Sequence, residues 1–158
     1  MTALVTGAAK RLGRAMALEL AAQGHDVAIH YNGSADAAEA TVAEAQAFGV
    51  KAVAIQADLT DEDAVQGLMP RVIDVLGPVQ VLVNSASVFE YDNLESATRD
   101  SWDRHMMSNL RAPFVLTQAL ATQLPDPVDD ANGEPVAQGL VVNMADQRVR
   151  KLTPEFMT

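Results

Sequence analysis

Five short runs rich in apolar and β-branched residues recur along the chain: ALVT (3 to 6), DVAIHY (26 to 31), KAVAIQAD (51 to 58), VQVLVN (79 to 84) and GLVVNM (139 to 144). Their apolar positions are mostly continuous rather than alternating, as in strands covered on both faces. Longer segments of helical period lie between them. Residues 11 to 23 carry Leu12, Ala15, Met16 and Leu20 at helical spacing and stop at Gly24, a C-terminal cap. Residues 35 to 48 are alanine-rich and stop at Gly49. The stretch LTDEDAVQGLMPRVIDVLG offers Thr60 as an N-cap, acids in the first turn and Gly77 at its end, with Pro70 expected to kink it. From about 101 to 123 the helical period returns with Pro113 inside it, which allows either one kinked helix or two abutting ones. This alternation predicts an α/β fold, a doubly wound parallel sheet, with no internal repeat. Residues 124 to 138 (LPDPVDDANGEPVAQ) hold three prolines, four acids and an Asn-Gly pair, and are expected to form a solvated loop at the sheet edge opposite the strand C-termini.

At 158 residues and 49% hydrophobic content, one domain with a sizeable core is expected. The balance of 21 acidic to 11 basic residues, net −10, argues against nucleic acid or an anionic membrane as partner, so any anion site must be local. The first apolar run is too short for a signal segment or membrane span. With no cysteine there is no disulfide framework or thiol nucleophile, and a cytoplasmic location is the expectation. No metal site is expected, because His25, His30 and His105 fall on separate elements.

Ligands of doubly wound sheets bind beyond the carboxyl ends of the strands. After the first run comes TGAAKRLG. Gly7, Ala8 and Ala9 permit close backbone approach, and Lys10 and Arg11 supply charge, either for a phosphate at a helix N-terminus or in a plain tight connection. After the second run, HYNGS lacks the acid that takes ribose hydroxyls in NAD sites. No acid follows until Asp36, and this absence, with Arg11 across the turn, favours NADP, the alternative being an ordinary strand-end turn around Asn32 and Gly33. Asp58, after the third run, either accepts from an adenine amino group or caps the next helix. NSASVFEY, after the fourth, allows close approach at its small residues, and Phe89 is either a flat stacking face or core.

The order and spacing of TGAAKRLG, ADL, Asn84-Ser85-Ala86-Ser87 and Asn109 resemble the short-chain dehydrogenase/reductase family over the whole chain, and VTGAAKRLGRAMA and HYNGSADAAEA look like its pteridine reductase branch. The resemblance implies a Rossmann-like fold and an NADPH-dependent reductase of a pterin, dihydrofolate or similar planar heterocycle. It implies that Thr6, Gly7, Arg11, Leu12 and Gly13 hold the pyrophosphate, that His30 and Ser34 meet the adenosine phosphate, and that Asp58 and Leu59 meet adenine. Asn84, Ala86 and Ser87 would flank the nicotinamide ribose, with Ser87 also near the substrate. Arg11 and Phe89 would contact the pterin, and Asn109 would support an active-site lysine through water. Arg11 replaces the second glycine of the common motif, Ser85 and Ser87 alter its Asn-Asn-Ala-Gly string, and Gly33 stands where the branch often has an arginine for the 2′-phosphate.

Asp146 stands at the typical catalytic serine position, as in pteridine reductases, and either assists proton relay or merely pairs with Arg148 or Arg150. The family also needs a Tyr-x-x-x-Lys pair about thirteen residues on, which falls at 159, and neither Tyr31 nor Tyr91 has a lysine four residues later. Residues 1 to 158 are therefore expected to be the N-terminal part of a single NAD(P)-binding domain, inactive and prone to associate alone. The full-length protein is expected to be a homodimer or homotetramer with a small-molecule substrate. The alternatives are a generic short-chain carbonyl or alcohol oxidoreductase, and a non-catalytic nucleotide-binding module.

Overall fold

The computed structural model describes residues 1 to 153 and 155. β1 (Thr2–Val5), β2 (Asp26–Tyr31), β3 (Ala52–Gln56), β4 (Val79–Asn84) and a later strand, β7 (Leu140–Asn143), form one sheet of order β3-β2-β1-β4-β7. Every pairing in it is parallel. The order reverses beside β1, so the switch point lies where β1 and β4 end. β2 and β4 coincide with their apolar runs, β1 is shifted by one residue, and β3 and β7 are shorter than theirs.

Helices cover both faces: α1 (Arg11–Ala22), α2 (Ala35–Gln46), α3 (Glu62–Leu76), α4 (Arg99–Met106) and α5 (Ala112–Gln123). One apolar cluster joins Leu4, Leu82 and Ile55 to Leu68, Val72 and Leu116, on the side of α3 and α5. The other joins Val5, Ile29 and Val83 to Ala17, Ala21 and Val42, on the side of α1 and α2.

Several expectations are corrected. The side of α1 packed on the sheet is Gly13, Ala17 and Ala21, whereas Leu12 is 67% exposed. Small residues win because this helix approaches very closely: a Cβ on Gly13 would lie 2.4 Å from the Gly7 carbonyl oxygen. Thr60 does not cap α3. Asp61 does, accepting from the N–H groups of Asp63 and Ala64. Pro70 lies within an uninterrupted α3. The long helical segment starts at Arg99 and joins α4 to α5 through a π-helical turn, Met107–Arg111, which replaces either form of break expected at Pro113. Pro113 then sits in the first turn of α5, where a missing N–H costs little. The acidic 124 to 138 segment contains a small antiparallel hairpin, β5 (Val128–Asp129) with β6 (Pro135–Val136).

Candidate active site at the carboxyl ends of the strands

The turn after β1 is held from three sides. Gly7 has φ +65°, and a Cβ there would lie 2.8 Å from Ala86 Cα, so the loops after β1 and β4 touch with no room for a side chain. Thr6 is buried. Its hydroxyl accepts from the N–H groups of Ser85 at 2.9 Å and Ala86 at 3.0 Å and donates to the Val83 carbonyl at 3.4 Å. Thr6 thus joins the two loops and has no hydroxyl capacity left for a pyrophosphate, which corrects its expected direct role.

His30 is corrected in the same way. It is buried, Nδ1 accepts the Gly7 N–H at 3.1 Å, and Nε2 donates to the Ala57 carbonyl at 3.1 Å. Both nitrogens are spent tying β1, β2 and β3 together, so the side chain does not reach an adenosine phosphate. This geometry requires the neutral ring. Burial, the dominant effect, pushes the imidazole down to about 4, with nearby Arg71 acting in the same direction.

Arg11, exposed at the start of α1, is the only non-glycine residue with positive φ (+54°) among those described. A residue other than glycine held in this region stores strain. Neither Lys10 nor Arg11 takes part in an ion pair among the described residues. Beside them is an open cleft of about 350 Å³ lined by Lys10, Gly33, Ser34 and, in the first turn of α2, Ala35, Asp36 and Ala37, so one cation and one carboxylate border it. Ser34 occupies the N-cap position of α2 without a side-chain cap bond, leaving helix N–H groups for an anion. Lys10 lies across this cleft from the α2 N-terminus, so its charge and the helix N–H groups converge on the same space.

Asp58 neither caps a helix nor stands alone. Its Oδ1 accepts from the Thr60 N–H at 2.9 Å and hydroxyl at 2.8 Å, and these bonds hold its carboxyl below the usual carboxylate range. The Leu59 side chain is buried in the core, which leaves only its backbone for any contact with adenine.

Asn84 is buried and donates through Nδ2 to Asn143 Oδ1 at 2.8 Å, which joins the ends of β4 and β7. Asn109, in the π-helical turn, grips Val88 twice at 2.8 Å: Oδ1 accepts its N–H and Nδ2 donates to its carbonyl. These two bonds use one acceptor site of Oδ1 and one hydrogen of Nδ2, so the carboxamide keeps one of each beside its clamp on Val88. Past this clamp, Ser87 and Phe89 are exposed, the latter by 53%, which removes the core reading of Phe89.

Asp146 follows β7, exposed, and its Oδ1 accepts the Arg148 N–H at 2.7 Å with Arg148 Nη1 at 3.6 Å. The Arg148 guanidinium also lies over the Phe89 ring, 5.1 Å from its centroid. The pairing weighed for Asp146 is thus present, and Arg148 joins it to the aromatic ring. Sequence reasoning missed that second contact, since nothing in residue spacing links a loop after β4 to one after β7. The final stretch expected to approach a catalytic helix falls partly on 154 and 156 to 158, outside the described residues.

The sequence model of the short chain dehydrogenase family matches residues 1–147. The chain belongs to that family. Among curated relatives, the 3-oxoacyl-[acyl-carrier-protein] reductase FabG of Staphylococcus epidermidis is 40% identical over 123 residues, 78% of this chain and 50% of the relative. Among solved structures, the FolM alternative dihydrofolate reductase 1 of Brucella canis, complexed with NADP, is 40% identical with a TM-score of 0.87. That similarity covers 99% of this chain and 59% of the other. A short chain dehydrogenase of Burkholderia cenocepacia in complex with NADP is 36% identical at a TM-score of 0.85, covering 98% and 59%. The chain spans about half the length of the curated relatives it matches. Among the described residues, no helix is long and apolar enough to cross a membrane.

Proposed function

We propose that the full-length protein is an NADPH-dependent short-chain reductase of a pterin, a dihydrofolate or a similar planar heterocycle. The observation that carries this reading is the convergence of the loops after β4 and β7. They bring an exposed aromatic ring, Phe89, and a carboxylate, Asp146, to one mouth at the switch point.

The residues fit the cofactor. Gly7 and Gly13 pack too tightly against the protein's own backbone for a Cβ, which holds the turn so that the first N–H groups of α1, beside Arg11, suit a pyrophosphate. Lys10, Ser34 and the α2 N-terminus suit a 2′-phosphate, and Asp58 with the Leu59 backbone would take the adenine end. Asn84 and Ala86 shape the wall for the nicotinamide ribose, where Ser87 offers an exposed hydroxyl. When bound, NADPH supplies a hydride to the carbon of a substrate C=N bond and leaves as NADP⁺, while a proton goes to the nitrogen. Phe89 holds the flat ring, Arg11 balances charge, and Asp146 orients the group delivering that proton. Asn109 fixes the Val88 backbone beside the platform. Exposed Trp102, Leu110 and Phe114 along the α4 to α5 segment support a homodimer or homotetramer, and the reading carries a cytoplasmic location.

The second reading, reduction of a 3-oxoacyl or other carbonyl substrate, is favoured by the identity to the Staphylococcus reductase. Substituting Asp146→Ser in the full-length protein separates the two. Under the pteridine reading, pteridine turnover falls on the order of a hundredfold, as for loss of an acid-base group, while NADPH binding is kept. Unchanged pteridine turnover, or a wild-type enzyme already reducing ketones as well as Asp146→Ser does, would sink it.

A further inference from the structure

Two loops reach the candidate site with their backbones already fixed. The Asn109 carboxamide holds both backbone groups of Val88, one residue before Phe89. Asp146 Oδ1 holds the Arg148 N–H in the turn Gln147–Val149. The side chains that these backbones carry meet: the Arg148 guanidinium covers one face of the Phe89 ring at 5.1 Å while its Nη1 lies 3.6 Å from Asp146.

We propose that Arg148 is a positioning residue that couples the Phe89 ring to the Asp146 carboxylate, covering one ring face so that a planar substrate is taken on the other. This rests on the reading above that Phe89 and Asp146 face the substrate. A half-exposed ring on a loop samples several rotamers unless something supports it. A guanidinium is suited to the task because it is flat, stacks on a ring and keeps its N–H groups, which lie in its own plane, for a carboxylate. An ammonium group can pair with the carboxylate but cannot also lie flat on the ring. Arg148 thereby ties ring and carboxylate together and constrains the distance between the stacked heterocycle and its proton-delivering group.

The test uses full-length protein carrying isotope-labelled arginine, with the variants Arg148→Ala, Arg148→Lys, Phe89→Leu and the double variant Arg148→Ala with Phe89→Leu. Without substrate, the Arg148 side-chain protons are expected at ring-current-shifted positions that vanish in Phe89→Leu. With NADPH and a dihydropteridine, Arg148→Ala is expected to raise KM and lower kcat, kcat/KM falling on the order of ten- to a hundredfold as for a misplaced substrate. Arg148→Lys is expected to recover little of this, and removing Arg148 from the Phe89→Leu background to cost far less than in the wild type. NADPH affinity within about twofold of wild type confirms that the variants fold. Absence of the ring-current shift, additive effects of the two substitutions, or full rescue by lysine would overturn the coupling. If NADPH binds but no pteridine turns over, the functional reading fails, and the ring-current shift alone decides whether Arg148 and Phe89 are coupled.

Discussion

The Gly7 N–H donates to His30 Nδ1 at 3.1 Å, so the turn that would face a pyrophosphate is held from behind by a neutral imidazole whose other nitrogen is anchored on Ala57. Protonation of Nδ1 would turn its acceptor into a second donor facing the Gly7 N–H.

The sign of the resulting pH dependence follows. The folded ring titrates at about 4, below its ordinary value of 6.5, so between these limits the unfolded chain binds more protons. Stability from His30 is fully present above 6.5, is lost as pH falls towards 4, and amounts to about 3 kcal/mol. Urea unfolding midpoints of the full-length protein from pH 7 to pH 4 should fall in this window. In His30→Leu the fall should be flatter, from a pH 7 stability already about 2 to 4 kcal/mol lower because two buried backbone groups lose their partner.

Thr6→Val removes the hydroxyl that serves Ser85 and Ala86 while keeping the shape. Two donors lose their acceptor, so a destabilisation of about 2 to 4 kcal/mol is expected, with Thr6→Ser recovering most of it. Chemical denaturation of the three proteins checks this. Equal stability would mean that the loops after β1 and β4 are held by packing alone.

Gly13→Ala forces a methyl against the Gly7 carbonyl, a backbone atom that cannot yield without moving the turn. A cost of about 1 to 3 kcal/mol is expected, expressed as lower stability, weaker NADPH binding or both, measurable by thermal unfolding and fluorescence titration. Gly67→Ala, within α3, where an added Cβ meets nothing, is the matched control for packing.

Much of this frame was legible in the sequence. Five apolar runs separated by helical segments specified the sheet, and the small residues after β1 and β4 marked where two loops cross. The direction of individual side chains was not legible. Thr6 and His30 look like ligand groups because they are polar at strand ends, yet those same positions are where neighbouring strands need cross-links, and burial directs them inward. Leu12 looks like core by period, but the close approach of α1 to Gly7 leaves room only for Gly13, Ala17 and Ala21. The Arg148 contact with Phe89 joins residues nearly sixty positions apart, which no local pattern encodes.

Lys10 lines the Ser34 cleft and is the cation there, opposite the Asp36 carboxylate. Lys10→Ala should weaken NADPH on the order of tenfold or more and leave NADH nearly unchanged, with the NADPH preference shrinking as salt rises. Titration of both cofactors at two ionic strengths checks it. An equal loss for both would assign Lys10 to the pyrophosphate instead.

The most direct measurement is the ratio of kcat/KM values of the full-length protein, with NADPH, for a dihydropteridine or dihydrofolate against a 3-oxoacyl thioester. A site built from Phe89 and Asp146 should favour the planar heterocycle by on the order of a hundredfold or more. A preference for the thioester would contradict the pteridine reading and leave the chain as a carbonyl reductase of the same family.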